Sequence, residues 1–152
     1  GANTPAFHAY LSSSQSVSDN SNTKAQINTE IYDTDNCYDN STNYRFTPTT
    51  AGKYFVYASV DCDSGYFLRF VNCKVQIKKN GSTIVAGFRH DTEQSTGVGD
   101  GVSTTGHVYA TVDMNGSSDY VEVFGQVNNN GGTPEFEADN RKTYFGAYRI
   151  IT

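Results

Sequence analysis

Apolar and polar residues alternate with a period of two over several stretches of the chain. Val71, Cys73, Val75 and Ile77 interleave with Asn72, Lys74, Gln76 and Lys78. Successive side chains of an extended strand point to opposite sides, so the pattern predicts a strand with one buried and one wet face. Asn80-Gly81 follows at once. That dipeptide suits a type I′ turn, whose two central residues both take positive φ. The return strand is expected over Thr83–Phe88. A second pair reads the same way. Val108, Ala110, Val112 and Met114 alternate with His107, Tyr109, Thr111 and Asp113, Asn115-Gly116 makes a turn, and Tyr120–Val127 alternates again with Val121, Val123 and Val127 on one face. Strands are also expected over Ala6–Ser12, Gly52–Cys62 and Lys142–Ile151, and less regularly over Ala25–Tyr32. No stretch sustains a 3.6-residue period. Short strands between Gly- and Asn-rich turns predict an all-β sandwich or jelly roll. The longest irregular stretches are Asp61–Arg69, Arg89–Gly101 and Asn128–Arg141, and loops on a rigid sandwich are where function usually sits.

Composition agrees with the pattern. Thr, Val, Tyr and Phe, the strand formers, are plentiful, whereas Leu occurs only at Leu11 and Leu68. At 152 residues the chain fits one domain, expected over 5–152 after a terminal tail or cloning scar at 1–4. No apolar run approaches the ~18 residues of a membrane span, so membrane insertion is not expected. No basic start followed by an apolar stretch is present, which reads as a mature segment or part of a longer chain. The net charge is −5, and the scattered Lys and Arg lack the basic stripe that a nucleic-acid partner requires. Cys37, Cys62 and Cys73 read as small core residues. A Cys62–Cys73 bridge stays open, since the two are 11 residues apart on strands expected to be neighbours.

Certain landmarks occur in a specific order. The chain opens with Pro5-Ala6-Phe7-His8-Ala9-Tyr10-Leu11-Ser12, continues with Tyr44-Arg45-Phe46-Thr47-Pro48 and Ala51-Gly52-Lys53-Tyr54-Phe55-Val56, and closes with Tyr144-Phe145-Gly146-Ala147-Tyr148. This resembles the complement C1q and tumour-necrosis-factor jelly-roll family, nearer to the C1q branch. Tyr32-Asp33-Thr34-Asp35-Asn36-Cys37-Tyr38-Asp39 is similar to the corresponding stretch of bacteriophage-type members. The resemblance runs from Pro5 to Ile151. It implies a ten-stranded antiparallel sandwich that assembles as a homotrimer, with one sheet of each protomer lining the three-fold axis. Tyr57 and Tyr148 match axial aromatic positions, His8 falls on the first strand of the same sheet, and His107 and Tyr109 are candidates for that face. His8 stands where C1q-like members usually have a small residue. Three copies of His8 near an axis would repel one another once protonated. Phe7, Phe46 and Phe145 are expected core plugs. Gly146, inside the last strand, would let another backbone or ring approach closely.

Enzyme chemistry finds no support. His8, His90 and His107 lack His-x-His or HExxH spacing, so neither a zinc site nor any cofactor is expected. No Gly-x-Ser-x-Gly elbow occurs. Gly97-Val98-Gly99-Asp100-Gly101 opens no helix and reads as a flexible loop, not a phosphate cradle. Asp33-Thr34-Asp35 starts like a calcium loop, but Cys37, Tyr38 and Tyr44 then stand where a ligand, Gly and Glu are needed. Whether Asp91, Glu93 and Asp100 gather to hold an ion across a trimer stays open. The carboxylate pairs in the loops read as solvated.

The reading that follows is a non-enzymatic, trimeric binding head. Its expected place is extracellular or on a virion surface, as the receptor-binding tip of a viral fibre recognising a host-surface glycan or receptor. The partners are two further copies of itself and that ligand. Candidate ligand residues are Asp61, Asp63, Tyr66 and Arg69, with Phe67 and Phe70 beside them, and a second polar set of Asn128, Asn129, Asn130, Glu135 and Asp139. An aromatic ring can stack on a sugar while Asp, Asn and Arg bond its hydroxyls. The alternatives are a trimerisation cap or virion decoration domain without a ligand, and a secreted innate-immune or cytokine-like recognition domain.

Overall fold

The structure is a computed structural model and describes residues 3–65, 70–90, 103–129 and 132–151. Among them lie thirteen strands and no helix. Eight are substantial: β1 (Ala6–Tyr10), β4 (Thr29–Asp33), β7 (Gly52–Asp63), β8 (Phe70–Lys79), β9 (Ser82–His90), β10 (Ser103–Met114), β11 (Val121–Asn129) and β13 (Tyr144–Ile151). The other five, β2 (Gln15–Ser16), β3 (Thr23–Lys24), β5 (Tyr38–Asp39), β6 (Arg45–Phe46) and β12 (Glu135–Phe136), are two residues long. All pairings are antiparallel. In the first sheet β7 pairs along its whole length with β10 on one edge. On the other edge it pairs with β13 and then β12, and β13 leads on to β1 and β4. The second sheet runs β5-β6-β11-β8-β9, with β3 also on β11.

The alternation sorts most residues between core and solvent as expected, although Gln76, read as solvent-facing, is buried and Val71 only half-buried. Tyr54, Val56, Val60 and Cys62 of β7 meet Cys73, Val75 and Ile77 of β8 and Val121, Val123 and Val127 of β11 in the core. Phe7, Phe46 and Phe145 are all plugs with at most 1% exposure. The Phe7 ring stacks on Tyr38 at 4.5 Å and Phe46 at 4.6 Å and meets Phe145 edge-on at 4.9 Å, spacings at which aromatic pairs add to simple burial. Asn80 (φ 51°) and Gly81 (φ 82°) close the β8–β9 hairpin, with Lys79 opposite Ser82.

Three expectations need correction. First, β10 and β11 are not hairpin partners. β10 joins the first sheet beside β7 and β11 the second beside β8. The Asn115 turn is therefore a corner between sheets. Asn115 Oδ1 holds it by accepting the amides of Ser117, Ser118 and Asp119. The apolar faces of the two strands look at each other across the core instead of lying side by side. Second, Ala25–Tyr32 is not one strand. Residues 23–24 belong to the second sheet and 29–33 to the first, and the link between them buries Ala25 and Ile27. Third, only Cys37 is a free buried cysteine. Cys62 and Cys73 form a disulfide, and their strands are not neighbours. β7 and β8 lie in opposite sheets, so the bridge ties the two layers through the core.

Candidate functional site

With even-numbered residues of β7 turned into the core, Phe55, Tyr57, Ser59, Asp61 and Asp63 point to the other side of the sheet, where Ser59 and Asp61 are nonetheless covered. Register then aligns them with side chains from four other strands. Tyr57 lies opposite Tyr109 of β10 and Gly146 of β13, Gly146 opposite His8 of β1, and His8 opposite Tyr32 of β4. One row along, Phe55 lies opposite Thr111 and Tyr148, and in the row on the other side Ser59 lies opposite His107 and Tyr144. The five residues expected on the assembly face, His8, Tyr57, His107, Tyr109 and Tyr148, thus share one face. Tyr32, Phe55 and Tyr144 were missed. Phe55 and Tyr144 follow from parity with Tyr57 and Tyr148. Tyr32 does not, because the register shifts between His8 and Ala9 in the β1–β4 ladder.

The rings form a connected layer. Phe55 lies 5.6 Å from Tyr148, 6.0 Å from Tyr109 and 6.1 Å from Tyr57. His8 lies 5.5 Å from Tyr144, 5.8 Å from Tyr57 and 6.3 Å from Tyr32. Gly146 makes the packing possible. A Cβ there would sit 2.3 Å from Cζ and Oη of Tyr57, whose ring covers the glycine. His8 Nδ1 and the Tyr57 hydroxyl are 2.9 Å apart and hydrogen-bonded. Burial lowers the pKa of His8 from its ordinary value. Burial, with Tyr32 and other tyrosines nearby, pushes the Tyr57 hydroxyl well up. The layer is not sealed: Tyr109 is 68% exposed, Tyr32 46% and Tyr148 39%, with Ile150 and Ile151 also exposed at the end of β13.

The residues read as ligand candidates are placed differently. Asp61 is only 4% exposed. Its Oδ2 accepts from Thr105 Oγ1 at 3.1 Å and lies 3.9 Å from Lys142 Nζ, and its Oδ1 has no partner among the described residues. Burial accordingly raises its pKa. Asp63 accepts the Gly65 amide at 2.6 Å and faces Glu135 across β12. Asn129 is buried, its amide donating to Asp19 Oδ1 and its Nδ2 to the Ser64 carbonyl. Asp61, Asp63, Asn129 and Glu135 therefore gather at one end of the sandwich, mostly beneath its surface. Asp139 sits apart in an ion pair of 2.7 Å with Arg141, whose side chain and amide hold its carboxyl well below the usual range. Tyr66, Phe67, Arg69, Asp91, Glu93, Asp100 and Asn130 lie outside the described residues. Among the described residues no three His, Cys, Asp or Glu side chains gather to hold a metal ion, and no helix is long and apolar enough to cross a membrane.

The surface also carries two polar grooves of about 370 Å³ each, on either side of the chain between Asp39 and Arg45. One is lined by Asn36, Asp39, Asn43, Arg45 and Thr47. Both of its charged groups are engaged elsewhere, Asp39 by the amides of residues 41–43 and Arg45 on the Tyr120 ring, 4.3 Å from its centroid. The other groove is built from the segments around residues 11–16, 26–28 and 44. No local motif announces it.

No family model matches the sequence, and no curated protein sequence matches it. Solved structures do match in shape. Eiger TNF from S. frugiperda superposes with a TM-score of 0.68 at 12% identity, over 95% of this chain and 91% of that one. Murine APRIL at pH 5.0 gives 0.66 at 10% identity, over 95% and 98%. The globular domain of the zebrafish complement 1qA protein gives 0.65 at 12% identity, over 97% and 98%. At such identities the likeness is one of fold. The chain has the C1q/TNF-like jelly-roll fold.

Proposed function

We propose that the chain is a homotrimeric recognition head whose copies pack through the aromatic face of the first sheet, leaving the rest of each sandwich free to bind a glycan or receptor outside the cell. The observation that carries this is the ring layer of Tyr32, His8, Tyr57, Tyr144, Phe55, Tyr148 and Tyr109. Tyr32, Tyr109 and Tyr148 are exposed together at this layer, and clustered exposed aromatic surface marks an interaction site. Tyrosine suits a protein interface because it buries a large ring and keeps a polar tip for water or a partner. The three-fold symmetry is the one the family resemblance implies. The Cys62–Cys73 bridge fits an oxidising, extracellular setting. The similarity to bacteriophage-type members makes the tip of a viral fibre, meeting a host-surface glycan, the setting favoured here.

Light scattering tests the assembly. The expected mass is three times 16.6 kDa, falling to one protomer in Tyr109→Lys, which places a cation on the exposed part of the face without touching the core. A monomeric wild type overturns the reading. A trimer that binds no glycan or receptor would be a structural cap instead.

A further inference from the structure

The groove around residues 11–16, 26–28 and 44 has a chemistry of its own. Leu11 contributes a buried apolar base. The remaining lining side chains among the described residues are hydroxyls, carboxamides and one phenol, and none carries a charge. Its shape is held by hydrogen bonds that use only part of the available valence. Gln15 Nε2 donates to the Lys24 carbonyl at 2.9 Å, and Gln15 Oε1 accepts the Gln26 amide at 2.8 Å. Asn28 Oδ1 accepts both the amide and the hydroxyl of Ser12, at 3.0 and 3.1 Å. Left over are the Gln26 carboxamide, Asn28 Nδ2 and the hydroxyls of Ser13, Ser16 and Tyr44. The described residues offer these groups no hydrogen-bond partner.

Tyr44 adds a second, independent observation. It has φ 50°, the left-handed region that a bulky residue occupies at a cost of about 1–2 kcal/mol. The neighbouring chain enforces this. Asp39 accepts the amides of Thr42 at 2.8 Å and Asn43 at 3.0 Å, and Lys24 Nζ donates to the Asn43 carbonyl at 3.1 Å. The outcome of that constraint is an aromatic side chain set in the groove wall. Strained residues held by their surroundings concentrate at ligand clamps.

From this arrangement we infer that the groove is a binding site for a neutral saccharide. A sugar ring presents an apolar C–H face to stack on an aromatic ring, and hydroxyls that both donate and accept. Tyr44 offers the ring, and Gln26, Asn28, Ser13 and Ser16 offer matching donors and acceptors. A sialylated or sulfated glycan would find no cation to meet it, and a lipid would find too little apolar wall. The room of about 370 Å³ lies in the ordinary range of small-molecule sites. The inference rests on the glycan-recognition reading above and is independent of the trimer.

The test is a glycan array of neutral, sialylated and sulfated oligosaccharides, followed by titration of the strongest neutral hit into the full chain and two variants. Expected are hits among the neutral glycans and at least tenfold weaker binding for both Tyr44→Gly and Gln26→Ala. Tyr44→Gly should keep or raise the unfolding midpoint, because glycine relieves the left-handed strain. Gln26 is exposed, so Gln26→Ala keeps the test decisive if Tyr44→Gly folds poorly. Binding within twofold of wild type in Gln26→Ala and in a folded Tyr44→Gly overturns the site. Hits confined to charged glycans overturn the groove and keep the glycan reading. An array without hits overturns both, while light scattering on the same samples decides the trimer separately.

Discussion

Gly146 is the residue on which the aromatic face depends, and replacing it with alanine gives a quantitative test. The added methyl carbon would lie 2.3 Å from Cζ and Oη of Tyr57 and 2.8 Å from Cε2. Carbon atoms in favourable contact are about 3.5–4.0 Å apart, so the ring must move by more than about 1 Å. It cannot slide within its layer, because Phe55, Tyr144 and His8 surround it. Tilting outward stretches the 2.9 Å hydrogen bond to His8, a bond worth about 0.5–1.5 kcal/mol. Overpacking of this kind costs about 1–3 kcal/mol. For a chain of this length each kcal/mol lowers the midpoint by about 2–4 °C, so Gly146→Ala should melt about 2–12 °C below wild type. Urea unfolding followed by tyrosine fluorescence is the direct assay, since the chain has no tryptophan. Protein concentration must be equal in every sample, because association couples to stability. In a Tyr57→Ala background the same substitution should cost less than about 0.5 kcal/mol, giving a coupling of at least about 0.5 kcal/mol. Equal costs in the two backgrounds, or no cost in the wild type, would refute the packing argument.

Two more predictions follow from the core and from the face. The Cys62–Cys73 bridge closes a loop with a sequence separation of 11, for which chain entropy alone gives about 3 kcal/mol. The double variant Cys62→Ala/Cys73→Ala should lose about 2–4 kcal/mol and become insensitive to reductant. A thiol titration of the unfolded, unreduced wild type that finds three thiols rather than one would show that the bridge is wrong. His8 has its pKa lowered from 6.5 by burial. The unfolded chain therefore takes up the proton first as pH falls, so stability present above pH 6.5 is lost below it as the folded value is approached. Unfolding midpoints measured between about pH 7.5 and about pH 5 should fall with acidity, and His8→Gln should flatten that part of the profile. If three copies meet on the face, the scattering mass should fall over the same window. A wild-type profile with no slope there would remove His8 from any role in assembly.

The alternation of β7, β8 and β13 is legible in the sequence because a half-buried strand must repeat every two residues. Asn80-Gly81 is legible because few dipeptides supply two positive φ angles. Gly146 stands out as a glycine within a strand, and the structure supplies the ring that needs it. Sheet membership was harder to read. Val108–Met114 and Val121–Val127 have the same alternation whether they lie side by side or face each other across a core, and only the second arrangement occurs. The two-residue strands β2, β3, β5, β6 and β12 carry no periodicity at all. Proximity of Cys62 and Cys73 is a property of the stacked sheets, not of their spacing. Tyr44 is hidden for a different reason. Tyrosine is not a residue chosen for left-handed turns, and its conformation is imposed from a distance by Asp39 and Lys24. The groove it lines draws on three segments, none of which looks unusual alone.

The separation of these two surfaces has a consequence for affinity. No residue of the aromatic layer lines the groove, so three chains meeting through that layer would keep three open sites. A shallow groove whose one aromatic lining residue among those described is Tyr44 would bind a single sugar weakly, since each hydrogen bond to a ligand hydroxyl replaces one to water. Three such sites on one rigid body meet a glycan-coated surface at a local concentration that chain geometry sets, and the gain can reach about 10²–10⁴ without any new contact. The array signal of a trimer should therefore far exceed what the solution affinity for one free oligosaccharide implies. In the proposed trimer, Tyr109→Lys, which disrupts the aromatic face and leaves the groove intact, should lose that excess while keeping the solution affinity. Tyr44→Gly should lose both. The opposite pattern, with the excess surviving in a monomer, would place the multivalency somewhere other than the aromatic face.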